Sequence, residues 1–160
     1  MTTLTVIGVG NRLRGDDAVG SLVIDALANM SDQDLELVDA GSDALSILEY
    51  LEGRQQVIIV DACCMGRDPG SVVSFDPAQA QLILDDDPMS LHGLGLAEAL
   101  KIADSLEMLP ESLKIIGIEP DSLQFKGTLS QPVQQALKTV VKKIQDVFKR
   151  KLEVIEVLPS

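Results

Sequence analysis

The sequence is poor in aromatic residues and in cationic side chains. Aromatic residues make up only 2% of the 160 positions and tryptophan is absent, so leucine, isoleucine and valine must fill the core. Lysine and arginine together number 13 against 25 acidic residues, which gives a formal charge of −12. A surface of that sign repels nucleic acid and anionic membranes, so we expect neither as a partner. It suits a partner that carries basic segments or a metal cation.

Cysteine and long apolar runs are also scarce. The two cysteines, Cys63 and Cys64, are adjacent in the chain, which is a poor arrangement for a structural disulfide. The apolar runs are too short to span a membrane, and no basic segment precedes a signal-like region after Met1. These absences predict a cytoplasmic protein. The length predicts one domain over residues 1–160, in which 153–160 form a short strand or a flexible tail.

Strand-like and helix-like apolar spacings alternate along the chain, which is typical of a doubly wound α/β sheet. Strands are predicted at residues 4–9, 35–39, 56–61, 71–75 and 114–118, and helices at 18–30, 44–51, 94–105 and from Pro132 onward. The connection between Asp61 and Ser71 is too short for a parallel crossover, so 71–75 should be an antiparallel edge strand. We therefore predict a three-layer α/β/α sandwich with a twisted, mainly parallel five-stranded sheet and one antiparallel strand.

The loop after the first strand partly matches a dinucleotide-binding fingerprint. Its glycines, Gly8 and Gly10, fit that pattern, but Leu13 stands where the fingerprint needs a glycine for close helix packing. Asp16 and Asp17 then place negative charge where a pyrophosphate would bind. The loop is therefore not predicted to bind NAD or ATP.

Asp16 and Asp17 stand immediately before the first predicted helix. One aspartate is enough to cap a helix, so the second is available for another role. Asp61 ends the third strand, and alone it would be interpreted as a turn residue. If the first and third strands are neighbours, Asp17 and Asp61 face one crevice at the carboxyl ends of the strands, where open α/β sheets place their sites.

His92 is the only histidine and precedes the helix predicted at 94–105. A lone histidine is more often structural than a ligand, but with Asp17 and Asp61 it would complete an open site for a borderline divalent cation. Nickel, zinc and manganese all suit that ligand set. A cysteine nucleophile, Cys63 or Cys64 paired with His92, is the rival chemistry, although cysteine is more often a small buried apolar residue.

Residues 8–20, with the sequence GVGNRLRGDDAVG, resemble the opening signature of the hydrogenase maturation peptidases. Four shorter motifs fall in the order and approximate spacing of that family: 39–42 (DAGS), 60–62 (VDA), 90–92 (SLH) and 117–120 (GIEP). Asp39-Ala40 departs from the Asp-Gly that is commoner in the family. The resemblance covers most of the chain, from about Leu4 to Ile144.

The resemblance implies an endopeptidase that removes the C-terminal extension of a nickel-iron hydrogenase large-subunit precursor after nickel insertion. It implies that Asp17, Asp61 and His92 contact the metal and form the catalytic site. The nickel would come with the precursor as the recognition mark, and another divalent cation could replace it. Two questions stay open: whether a carboxylate activates water or only holds the metal, and whether the protein is instead a non-cleaving, nickel-dependent chaperone or sensor of the precursor.

Overall fold

The computed structural model describes residues 3–30, 32–84, 95–123 and 127–157. Within these ranges one five-stranded sheet has the strand order β2-β1-β3-β5-β4. The strands are β1 (Leu4–Gly8), β2 (Leu35–Asp39), β3 (Gln56–Ala62), β4 (Val72–Phe75) and β5 (Ser112–Ile118).

The strand directions confirm the predicted mixed sheet. β1 pairs in parallel with β2 and with β3, and β3 pairs in parallel with β5. β4 lies at the edge and pairs antiparallel with β5, so it also runs opposite to β3. The chain reverses at the end of β3 without a crossover, because an antiparallel strand needs none. The four parallel strands end at one edge of the sheet, here called the carboxyl edge.

Two of the four predicted helices begin as α-helices later than predicted because a 3-10 turn precedes them: the first at Val19 and the second at Leu48. The α-helices are α1 (Val19–Leu27), α2 (Leu48–Leu51), α3 (Ala80–Ile83), α4 (Leu96–Ser105) and α5 (Gln131–Val157). The 3-10 helices Gly15–Ala18, Ala44–Ile47 and Pro77–Gln79 precede α1, α2 and α3. Residues 153–157 belong to α5, so the prediction of a short strand over 153–160 is wrong for these residues. None of the helices in the described ranges is long and apolar enough to cross a membrane.

Two apolar clusters, one on each face of the sheet, form the core. Side chains of α1 and α5 pack with Val6, Val60 and Ile116 on one face, and those of α2 and α4 pack with Ile7 and Ile59 on the other. Successive strand residues therefore serve opposite faces, as the two-residue repeat of a strand requires. The predicted three-layer α/β/α arrangement is confirmed.

The close approach of α1 to the sheet depends on glycine. A Cβ atom built on Gly20 would lie 2.6 Å from the carbonyl oxygen of Val60 and would also collide with the backbone of Val9. A Cβ on Gly8 would collide with the carbonyl of Gly20. The two glycines let α1 begin directly over β1 and β3, so the 3-10 helix before it stands at the carboxyl edge.

Candidate active site

Asp17 lies in the 3-10 helix Gly15–Ala18 at the carboxyl edge, and only 1% of its surface is exposed. The Asn11 amide donates to Asp17 Oδ2 at 3.1 Å and to the Asp17 carbonyl at 3.2 Å, and the Asp17 amide donates to the Arg14 carbonyl at 3.0 Å. A Cβ on Gly10 would collide with the Asp17 carbonyl. The first loop therefore fixes both the backbone and the carboxylate of Asp17.

Asp61 lies near the end of β3, which neighbours β1 in the sheet, and is 2% exposed. The 3-10 helix that carries Asp17 packs against β3. The structure thus places both predicted acids in the interior of the carboxyl edge, on adjacent parts of the fold. A turn residue would be expected to be more exposed, so the turn interpretation of Asp61 does not account for its position.

The charges of both acids affect the pKa of the Cys63 thiol. Burial raises the pKa of Cys63 well above its ordinary value, and the negative charges of Asp61, Cys64, Glu119 and Asp17 raise it further. A thiol that is 4% exposed and surrounded by carboxylates stays protonated at neutral pH. Cys63 is therefore a buried apolar residue beside the acids and lacks the properties of a nucleophile.

Asp16 does not cap a helix, contrary to the capping role considered for it. The 3-10 helix has no side-chain cap, and the Asp16 carboxylate instead accepts hydrogen bonds from the segment after β5. Its Oδ2 accepts from the amides of Asp121 (2.8 Å) and Ser122 (3.0 Å) and from Ser130 Oγ (2.8 Å). Its Oδ1 accepts from the Ser130 amide at 2.7 Å. Asp17 is thus bonded to the first loop, whereas the adjacent Asp16 is bonded to the segment after β5.

These hydrogen bonds determine the charge state of Asp16. Its burial would raise the pKa, but the bonds from Ser122, Ser130 and Asp121 outweigh burial and lower the pKa below the ordinary value of 3.8. The folded protein therefore binds the Asp16 proton less well than the unfolded chain does. The resulting stabilisation is complete above the unfolded pKa and is lost as the pH falls through the folded pKa.

The variant Asp16→Asn should be less stable than the wild type by about 2–3 kcal/mol at neutral pH, because its amide group faces N–H donors. The difference should shrink as the pH falls below about 3.8, since protonated Asp16 also lacks the charge. Urea unfolding of both proteins across this pH range measures it. A difference that stays constant with pH would contradict the assigned role of the charge.

Glu119, which follows β5, is a second structural carboxylate that sequence reasoning did not identify. It is 6% exposed, and its Oε1 accepts from the amides of Met65 (2.8 Å) and Arg67 (2.9 Å). It therefore holds the loop that follows Asp61 and β3. In the sequence, the position of this acid between an apolar strand and Pro120 could have indicated a structural role.

Asp39, at the end of β2, belongs to the scaffold of the first loop. Arg12 donates to Asp39 Oδ2 through Nη2 at 2.8 Å and also pairs with Asp25 of α1 at 2.6 Å. Asp39 Oδ1 accepts from Ser21 Oγ at 2.8 Å and from the Gly41 amide at 3.1 Å. Burial raises the pKa of Asp39, but these donors outweigh it and lower the pKa. The Asp39 carboxylate is thus bonded to Arg12, Ser21 and Gly41 of its own chain.

His92, the third predicted ligand, lies outside the described residues. Among the residues that are described, no group of three or more histidine, cysteine, aspartate or glutamate side chains is arranged to hold a metal ion. Asp17 and Asp61 are the two predicted ligands that the structure describes, and both are buried at the carboxyl edge. The triad with His92 stays a prediction.

Comparison with known proteins identifies the family. A sequence profile described as hydrogenase maturation protease (HycI) matches residues 22–147. The chain belongs to the hydrogenase maturation protease family. Asp61 and His92 lie inside the matched range and Asp17 lies before it. The resemblance inferred from residues 8–20 and the shorter motifs is confirmed.

Individual relatives agree with this assignment. The hydrogenase 2 maturation protease of Escherichia coli is 26% identical over 150 residues, which cover 89% of this chain and 91% of the relative. The crystal structure of a hydrogenase 2 maturation peptidase from a Thaumarchaeota archaeon is 32% identical, with a TM-score of 0.68 and coverage of 92% and 98%. The solution structure of an endopeptidase from Escherichia coli is 25% identical, with a TM-score of 0.81 and coverage of 94% of both chains. The chain is similar to these proteases over nearly its full length.

Proposed function

We propose that this hydrogenase maturation protease removes the C-terminal extension of a nickel-iron hydrogenase large-subunit precursor once nickel has been inserted. The observation that carries the proposal is the placement of Asp17 and Asp61, two buried carboxylates from different segments, at the carboxyl edge of one sheet. Family membership supplies the protease activity, and the two acids supply the site at which it acts.

The precursor's nickel is part of the substrate in this proposal. Asp17 and Asp61 offer anionic oxygen ligands, His92 offers the one imidazole of the chain, and such a mixed set suits nickel or another borderline divalent cation. A precursor without metal lacks the group that these residues bind, so its peptide is not cut. Either carboxylate can also accept a proton from the attacking water.

Incubation of the purified protein with nickel-loaded precursor tests this function. Mass spectrometry should show a large subunit shortened at its C-terminus, and the nickel-free precursor should stay intact. A stable complex in which the nickel-loaded precursor is never shortened would identify the non-cleaving chaperone or sensor instead. Cleavage that is equally fast without nickel would contradict recognition through the metal.

The cysteines should be dispensable for this activity. We expect the double variant Cys63→Ala, Cys64→Ser to process the precursor within about threefold of the wild-type rate, because the Cys63 thiol is buried and protonated. The smaller side chain at position 63 should lower stability by about 1 kcal/mol. Cleavage rates together with thermal melting measure both effects. A folded double variant without activity would restore the cysteine peptidase as the mechanism.

A further inference from the structure

The two ends of the 121–130 loop converge on the carboxylate of Asp16. Asp121 and Ser122 donate to it from one end of the loop and Ser130 donates to it twice from the other. The Asp16 amide also donates to the Ser122 carbonyl at 3.1 Å. One buried side chain therefore closes the base of a loop whose residues are more than a hundred positions away in sequence.

The base of this loop stands beside the acids of the site. The loop follows β5, whose Gly117 pairs with Asp61 of β3, and it leads into α5 at Gln131. It is bonded to the same 3-10 helix as the first loop, since Asn11 and Arg14 bond to Asp17. Asp121, Ser122 and Ser130 bond to Asp16. The two neighbouring aspartates thus tie the first loop and the segment after β5 to one 3-10 helix, through separate hydrogen bonds.

We propose that Asp16 is a positioning residue that holds Asp121, Ser122 and Ser130, the base of the 121–130 loop, where the precursor binds beside Asp17 and Asp61. This inference rests on the proposed function, since it takes the nickel-loaded precursor as the molecule that binds there. Only a carboxylate can accept all four donors. Asparagine presents an N–H₂ group to at least one of these N–H donors, so it releases part of the loop base while the shape of the side chain is kept.

The predicted signature is a change in KM without an equal change in kcat. In the full-length chain, Asp16→Asn should raise KM for the nickel-loaded precursor by about tenfold or more, with kcat within about threefold of the wild type. Amide exchange at Asp121, Ser122 and Ser130 should accelerate. Ser130→Ala, which removes only the hydroxyl donor, should raise KM by about threefold. Asp76→Asn, at an exposed acid that pairs with Lys114, is the control and should change neither constant.

Three results would overturn the proposal. An unchanged KM in Asp16→Asn, despite faster exchange at Ser130, would show that the loop base does not contact the precursor. A loss of kcat at constant KM would show that Asp16 acts through Asp17. If Asp16→Asn does not fold, Ser130→Ala decides, and an unchanged KM in that variant rejects the inference.

A binding measurement distinguishes a failure of the proposed function from a failure of this inference. If the wild-type protein does not shorten the precursor, the dissociation constant of the nickel-loaded precursor replaces KM as the measured quantity. Weaker binding by Asp16→Asn would then support the role of Asp16 in precursor binding even though the protein does not cleave. Equal binding by the two proteins would reject it.

Discussion

Replacing Asp17 or Asp61 by asparagine will abolish precursor processing and leave the fold intact. Each substitution keeps the size of the side chain and removes the anionic oxygens that the proposal assigns to metal binding and proton transfer. We expect processing to fall by about 10²–10⁴-fold in each variant, the range for loss of a positioned acid–base group. The rate of appearance of the shortened large subunit measures the effect, and circular dichroism checks the fold.

A matched control is available at the same edge of the sheet. Asp43 is an exposed acid whose carboxylate caps the 3-10 helix Ala44–Ile47 by accepting from the Leu45 amide at 3.0 Å. Asp43→Asn removes the same charge without touching Asp17 or Asp61, so it should retain processing. His92→Gln should lose processing as the two acid variants do. Normal cleavage by folded Asp17→Asn and Asp61→Asn proteins would end the metal-site hypothesis.

The variant Gly20→Ala will lose most of the stability of the fold. Its new Cβ would meet backbone carbonyls of Val9 and Val60 on two neighbouring strands, and backbone inside a sheet cannot move aside as a flexible side chain can. We expect a loss of about 3 kcal/mol or more, which is a large part of the stability of an ordinary domain. Thermal melting and soluble yield measure it.

The control for this prediction is Gly127→Ala. A Cβ at Gly127 meets no atom within 4 Å, and the residue is exposed. The same chemical change should therefore leave the melting temperature nearly unchanged. A Gly20→Ala protein as stable as Gly127→Ala would show that α1 does not need its close approach to β1 and β3.

The fold could be predicted because its determinants are local. Apolar strand residues such as those of β3 are buried, and the short connection before β4 excludes a crossover, so periodicity and loop length were sufficient. The 3-10 starts of α1, α2 and α3 could not be predicted, because apolar periodicity does not distinguish a tight first turn from an α-helical one.

Strand order decided the placement of two predicted site residues. Asp17 and Asp61 both lie buried at the carboxyl edge, where β1 and β3 are neighbours, as the alternating pattern predicted. The role of Asp16 was missed because its donors lie 105 to 114 residues away, and sequence reasoning compares a helix-start acid only with nearby amides. Glu119 was missed for the same reason, since Met65 lies 54 residues from it. Long-range hydrogen bonds to buried carboxylates leave no periodic signal.

The separation of the two edges of the sheet gives the protein a natural handle for immobilisation. Asp17, Asp61 and Asp16 all lie at the carboxyl edge, whereas the turn before β3 lies at the other. Glu52 in this turn is exposed and has φ −60°, which other residues adopt without strain, whereas Gly53 beside it has φ +77°. A biotin or a bead attached through the variant Glu52→Cys would hold the protease with its carboxyl edge facing the solution, so precursors could be captured, processed and washed away on a column.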